Sequence, residues 1–392
     1  GLFINDIKTS TKLPVAYNTY DTLDATKLLR NQGTAATCWA YAANSMFEIA
    51  IAKQTNVYND FSETHLIQYT TIPSTLESGG NFQASRIYYQ NRFGPVDEST
   101  TLTTVVQSPY QLTGFAEINA DITATKQAIF EYGSVLTSIY LNESDEAVYS
   151  KKNTAYYNDK ADRQRTHELI LVGWDNQYSK ENFVTQPKKD GAFIAQNSFG
   201  NSWGDNGFFY ISYEDVHLLN EVYAITKFES QPVKENMYAY DATGITHFES
   251  FGDTNNAIGI NTFKKKGPET LKSIGIYTAE NNMSVEIFYA KGKFNQKLSP
   301  IKFQITLEKK GYHIVELPLA LQLSDSSYFW IGTLFKGTTP FVVPIEAPFP
   351  GVTYPITSNA GESHIGNGEV FYDLNLFRKN ANIALRAFTW PN

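Results

Sequence analysis

At 392 residues the chain exceeds the size at which one hydrophobic core keeps growing, so about two domains of roughly 150–200 residues are expected. Hydrophobic residues make up 42% and charged residues 18%, too apolar for a disordered chain, and a formal net charge of -8 supplies no basic footprint for nucleic acid or an anionic membrane. No apolar run reaches the roughly 18–20 residues that span a bilayer, and a single cysteine excludes an internal disulfide and any multi-cysteine zinc site.

In chain order, CWAYAANSMFEIAIA, residues 38–52, carries helix formers without Gly or Pro, with Thr37 as its expected N-cap. FSETHLIQYT reads as a second helix capped by Ser62, and NFQASRIYYQNRFG as a third that runs to Gly94-Pro95. ADITATKQAIFEYG, residues 120–133, is a fourth, closed by Gly133. The pattern then turns to strands in SVLTSIYL, HELILVGWD, GAFIAQNSFG and GFFYISY, each bounded by Gly, Asp or Asn. Helices first and strands second predict an α+β domain with segregated halves and a cleft between them. Beyond about residue 228, eight short strands from AIGINTF to NIALRAFTW predict an all-β sandwich or jelly roll. The expected boundary lies in TKFESQPVKEN, residues 226–236, giving domains 1–230 and 231–392.

A cysteine opening a helix sits where unpaired N–H groups and the macrodipole favour a negative charge, so Cys38 has the chemistry of a thiolate nucleophile. The competing reading is a small buried residue on an apolar helix. A nucleophile also needs a base, and His167 begins a strand whose remaining residues are largely apolar. Asn197 follows an apolar strand and precedes a glycine-rich aromatic turn. Its amide can hold an imidazole in orientation while an aromatic ring excludes water.

Together these segments resemble papain-like cysteine peptidases. QGTAATCWAYA is similar to the family's Gln-Gly…Cys-Trp-Ala-aromatic signature, with Gln32 six residues before Cys38. FSETHLIQYT resembles its Leu-Ser-Glu-Gln-x-Leu-Val helix start, SGGNFQASRIYY its Gly-Gly run, HELILVGW its His-Ala strand, and NSFGNSWGDNG its Asn-Ser-Trp-Gly motif. The resemblance implies a two-lobed fold, with a helical lobe and a β-barrel lobe, and endopeptidase chemistry through a Cys38 thioester without a required cofactor. It implies His167 as ion-pair partner and general acid/base, and Asn197 as the residue that orients it. Gln32 and the Cys38 backbone N–H would donate to the oxyanion, and Gly79, Gly80 and Trp203 would contact substrate.

Some positions depart from that pattern. Ala35, Ala36 and Thr37 stand where the family commonly has a cysteine and Gly-Ser, so its usual disulfide is absent. Phe199 takes the place of the first motif Trp, and Asn201 offers a competing register because residues 201–204 also read NSWG. The long interval from His167 to Asn197 predicts an exposed hairpin excursion. With only 31 residues before Gln32, no long propeptide is expected in this chain. The residues after Asp215 are expected to help form a hydrophobic second subsite.

The C-terminal strands resemble the lectin-like domain that follows the peptidase in bacterial surface-layer processing enzymes, which implies a secreted or cell-surface protein acting on proteins or peptides, with glycans or surface proteins as further partners. Tyr328 or Trp330 would stack on sugars if exposed, but aromatics at alternating positions in a sandwich are more often core. Asp253 in FGDTNNA is a candidate ligand for a structural Ca²⁺ in the second domain, against a plain solvated turn. Two other functions compete: a non-catalytic glycan- or surface-binding protein on a peptidase-like scaffold, and acyl transfer to an amine, as in transglutaminase-like folds.

Overall fold

Helix α1 (Cys38–Thr55) carries the single cysteine and is buried without interruption from 42 to 52, with Asn44 and Glu48 partnered by Tyr89 and Arg30 among its apolar residues. These coordinates are a computed structural model that describes residues 12–103, 106–230, 234–297 and 299–392. The described chain forms two compact units. One comprises the residues up to Thr34, Ser45–Asn59 and Ile118–Ala224; the other comprises Ala35–Asn44, Asp60–Glu117 and Ile225–Asn392. Of the expected boundary segment, residues 231–233 lie outside the described residues.

The first unit is a sheet with helix α4 (Ile122–Tyr132) against it. Asp121 caps α4 by accepting from Ala124 N, and, as the sequence predicts, Gly133 ends it, at φ 96°. The strand order is Val135–Ile139, His167–Asp175, Ala192–Gln196, Phe208–Ser212, Ala155–Tyr156 and Tyr149–Ser150, with Ala16–Asn18 pairing on His167–Asp175. Gly173 interrupts the apolar run for a steric reason: a Cβ there would lie 2.2 Å from the carbonyl oxygen of Tyr17. The hairpin excursion after this strand is not wholly exposed. Phe183 is buried and packs with Ala155 and Ala192, while Tyr178 stacks on Tyr210 at 4.6 Å.

In the second unit, α2 (Glu63–Tyr69) starts under a Ser62 cap whose hydroxyl accepts from His65 N. Helix α3 (Phe82–Gln90) is capped by Asn81 and stops short of the predicted Gly94-Pro95, because Arg92 turns the chain at φ 62°. A strand that periodicity missed, Tyr110–Glu117, has six consecutive buried residues and so shows no alternation. It pairs with Gly311–Gln322, which continues through Glu269–Thr278 and Arg386–Pro391 to Asn236–Tyr238. Against these lies a six-stranded antiparallel sheet ordered Ile301–Leu307, Met283–Lys291, Tyr328–Lys336, Asn256–Lys264, Ser363–Gly366 and Phe371–Asp373. Ile274, Ile276, Val285, Ile287, Phe329 and Ile331 fill the core between them.

One buried ion pair sits where α3 meets the C-terminal strands. The Arg386 guanidinium is 3.2 Å from Asp241 and donates to Gln90 O at 3.1 Å and Asn91 Oδ1 at 2.9 Å. Burial favours neutral Asp241, while the guanidinium opposes that shift. Ser85 Oγ on the same α3 donates to Trp39 O at 3.4 Å, and Tyr89 OH donates to Asn44 Oδ1 at 2.6 Å. The helical residues of this unit are therefore tied both to α1 and to the β-sandwich. Trp330 is 3% exposed and packs with Ile258 and Ile260, so of the two readings it follows the core one and is not a sugar-stacking ring. Tyr328 is half-buried beneath the Lys293 ammonium, 4.6 Å from the ring centre.

Candidate active site

Strand pairing brings His167 and Asn197 together across 30 residues of sequence. His167 opens its strand, Asn197 follows Ala192–Gln196, and the antiparallel register Ile170↔Gln196 puts both ends on one edge. His167 Nε2 lies 2.7 Å from Asn197 Oδ1, and Ser198 N donates to the same Oδ1 at 2.9 Å. A backbone N–H can only donate, so the atom between the two is the amide oxygen. The imidazole nitrogen facing it must therefore carry a proton, which leaves Nδ1 as the acceptor of the neutral ring.

Aromatic rings cover this contact. Phe199 lies 5.3 Å from the imidazole, and Trp203 meets Phe199 edge-on at 5.5 Å. Trp203 in turn packs against Phe209 at 5.0 Å and Tyr149 at 6.0 Å, and its Nε1 donates to Glu143 Oε2 at 2.5 Å. Burial pushes the His167 pKa down to about 4, opposed by the Asn197 hydrogen bond and the Glu143 charge. An isolated imidazole in this setting is neutral, and a nearby anion would stabilise its protonated form. Asn201 is exposed in the next turn and makes no hydrogen bond to the imidazole.

Gln32 is fixed to the same strand end. Its backbone N donates to Ser198 O at 2.8 Å, and its side-chain Oε1 accepts from Ser198 Oγ at 2.5 Å. Asn31 pairs with Phe199, and Gly200 N donates to Arg30 O at 2.9 Å. With Oε1 turned toward Ser198, the amide Nε2 is the end directed away from it. Ser198 is a functional position the sequence reading passed over. Its only signal is a hydroxyl between the orienting Asn and the covering Phe.

Cys38, Gly79 and Gly80 belong to the other unit. Cys38 is the first residue of α1 and is half-buried, and Thr37 O accepts from Ala40 N and Tyr41 N at 3.0 and 3.2 Å. Thr37 thus begins the helix through its carbonyl. Ala36 N donates to Leu76 O at 2.9 Å, which holds the pre-helix segment against the 75–80 turn. Gly79 is favoured by its left-handed φ of 69°, although a Cβ there would meet open space, whereas a Cβ on Gly80 would lie 2.6 Å from the Trp39 indole.

After Asp215, Leu218, Val222, Ala224 and Ile225 are buried and serve the core, while Val216, Leu219, Tyr223 and Phe228 are half-buried. Asp253 is in an exposed turn, and among the described residues no group of three or more His, Cys, Asp or Glu side chains is disposed to hold a metal. No helix among the described residues is long and apolar enough to cross a membrane.

The class defined here is a papain-like domain, with its Cys, His, Asn and Gln positions filled, followed by an all-β domain. Residues 14–233 match the papain family cysteine protease model, and residues 237–389 match the lectin-like domain model. The chain belongs to the papain family of cysteine proteases. It is 25% identical over 192 residues to cathepsin K of Mus musculus, spanning 46% of this chain and 54% of that protein. It is 22% identical over 195 residues to procathepsin L of Rattus norvegicus, spanning 47% and 56%. The chain thus spans about half the length of these curated relatives. The solved cysteine protease and lectin-like domains of Cwp84, a surface layer associated protein of Clostridium difficile, align with a TM-score of 0.84 and 25% identity over 97% of this chain and 89% of that one. Clostridial Cwp84 after propeptide cleavage has the same fold, with a TM-score of 0.85 and 24% identity over 96% and 99%.

Proposed function

We propose that this protein is a secreted cysteine endopeptidase that hydrolyses peptide bonds through a Cys38 thioester, with residues 1–230 as the peptidase domain and 231–392 as a lectin-like domain. The observation that carries this reading is the 2.7 Å His167–Asn197 bond, with the amide oxygen identified by Ser198 N. A thiolate at the start of α1 attacks the substrate carbonyl carbon, and the carbonyl electron pair moves to oxygen. The Gln32 Nε2 and the Cys38 N–H stabilise that oxyanion. His167, protonated in the ion pair, gives its proton to the departing amine as the C–N bond breaks and the thioester forms. Water then attacks the thioester, with His167 taking its proton, and the C–S bond breaks to release the carboxylic acid and restore the Cys38 thiolate beside the His167 imidazolium. The route uses only protein groups and water.

Gly79 and Gly80 suit the passage of a substrate backbone, because nothing larger than hydrogen protrudes there. Trp203 closes the His167 side. Cwp84 is described as surface layer associated. By analogy, a cell-surface setting, with the sandwich holding a surface glycan or a protein substrate, fits this chain. Among the exposed aromatic residues available for that contact, Tyr372 and Phe377 stack on one another. The experiment is cleavage of internally quenched peptides in amine-free buffer, with Cys38→Ala as control. Cleavage that depends on Cys38 is expected. Turnover only when an amine acceptor is added would favour acyl transfer instead.

A further inference from the structure

Glu143 stands outside every motif of the family, in an exposed loop, yet its carboxylate is held against the ring system that covers His167. Trp203 Nε1–H donates to its Oε2 at 2.5 Å, and Trp203 is itself wedged between Tyr149, Phe199 and Phe209. His167, Phe199, Trp203 and Glu143 therefore form one continuous line of contacts, two between rings and one hydrogen bond, ending in an oriented carboxylate. The arginines that precede His167 do not neutralise it: Arg163 faces Asp145 at 3.9 Å, and Arg165 faces Glu221 at 3.3 Å. The Glu143 charge is felt by its surroundings. It favours protonated His167 and disfavours ionised Tyr149. An exposed, oriented anion beside a reacting group, with no counter-ion among the described residues, is suited to reading the charge of what binds there.

Mechanism supplies the direction. The imidazolium must reach the nitrogen of the departing amine, so the substrate residues after the scissile bond lie on the His167 side. We propose that Glu143 is a specificity-determining residue that selects a lysine or arginine within two residues after the scissile bond. The inference rests on the peptidase reading and adds to it the charge class of the leaving segment. One exposed ion pair corresponds to a preference of about 2–5-fold. Exchanging lysine for glutamate in the substrate combines attraction with repulsion, so the expected ratio in kcat/KM is about 5–20-fold, declining at high salt.

The test is a peptide series identical except for Lys, Gln or Glu at the first and second positions after the cleaved bond. It is cleaved by the full chain and by its Glu143→Gln, Glu143→Lys and Cys38→Ala variants. Glu143→Gln keeps an acceptor oxygen for the Trp203 indole and removes only the charge. The Lys-to-Glu ratio is expected to collapse toward one in Glu143→Gln and to invert in Glu143→Lys. If cleavage requires Cys38 but the ratio is the same in all three Cys38-containing proteins, the assignment of Glu143 is overturned and the peptidase reading stands. If no peptide of any charge is cleaved, both fall together.

Discussion

Replacing Asn197 by Ala removes the acceptor 2.7 Å from His167 Nε2 and leaves the rest of the imidazole's cover in place. His167 is 7% exposed and Asn197 2%, so water does not readily replace the amide oxygen. A buried donor left unsatisfied costs about 1–3 kcal/mol. The imidazole also loses what fixes its proton on Nε2, so part of the population presents the wrong nitrogen for proton transfer. Together these effects amount to about 2–3 kcal/mol of transition-state stabilisation, roughly a 30–150-fold fall in kcat/KM. The measurement is peptide hydrolysis normalised to active sites titrated by a thiol-directed epoxide, with urea unfolding to correct for folded fraction. Asn201→Ala, in the exposed turn, is expected to stay within twofold of wild type, roughly the scale of a neutral surface change. A fall of less than threefold in Asn197→Ala, or an equal fall in Asn201→Ala, would refute the orienting role.

Burial holds His167 neutral down to a pKa of about 4, below the ordinary 6.5, so on acidification the unfolded chain takes up the proton first and the folded state loses about 3 kcal/mol between those pH values. In a Cys38→Ala background, which has no thiolate to hold the imidazolium, the stability lost between pH 7 and pH 4 should exceed that of Cys38→Ala/His167→Gln by this amount; equal losses contradict it. Arg386→Met strips the guanidinium from Asp241, 3.2 Å away with its side chain fully buried, and should lower unfolding free energy by about 3–5 kcal/mol. The double variant Arg386→Met/Asp241→Leu should recover most of that loss in urea melts, and no recovery would mean that the cost lies in packing. Gly80→Ala drives a Cβ to 2.6 Å from the Trp39 indole beside the helix that bears Cys38, with an expected cost of about 1–3 kcal/mol and slower inhibitor labelling; an unchanged melt and labelling rate would contradict that contact.

The start of α2 was legible because a cap is local: Ser62 accepts from a backbone N–H as its residue type predicts, whereas for α4 only the Gly133 end was marked and the Asp121 cap went unnamed. The end of α3 was misplaced because the left-handed turn at Arg92 carries no Gly to announce it. Most sandwich strands were visible from their alternation, but Tyr110–Glu117 is buried on both faces, and its pairing partner lies about two hundred residues further on. For the same reason the grouping of Asp60–Glu117 with Ile225–Asn392 was invisible, since contacts such as Arg386 with Gln90 have no local signature. At the site, His167 and Asn197 were singled out by motif, and of the two candidate asparagines Asn197 is the one buried against the ring. Glu143 was not found, because nothing in its loop marks a carboxylate destined for the Trp203 indole. Trp330 took the core reading that strand aromatics in a sandwich favour, although an aromatic in a strand looks the same in sequence whether it faces the core or solvent.

The central claim, a nucleophilic Cys38 served by His167, is tested most directly by labelling with an epoxide thiol inhibitor at mildly acidic pH, read by intact mass and peptide mapping. One adduct per chain at Cys38 is expected, with its rate reduced at least tenfold in His167→Gln and peptide hydrolysis lost in proportion to labelling. A folded protein that takes up no inhibitor, or labels equally fast without His167, would contradict the account.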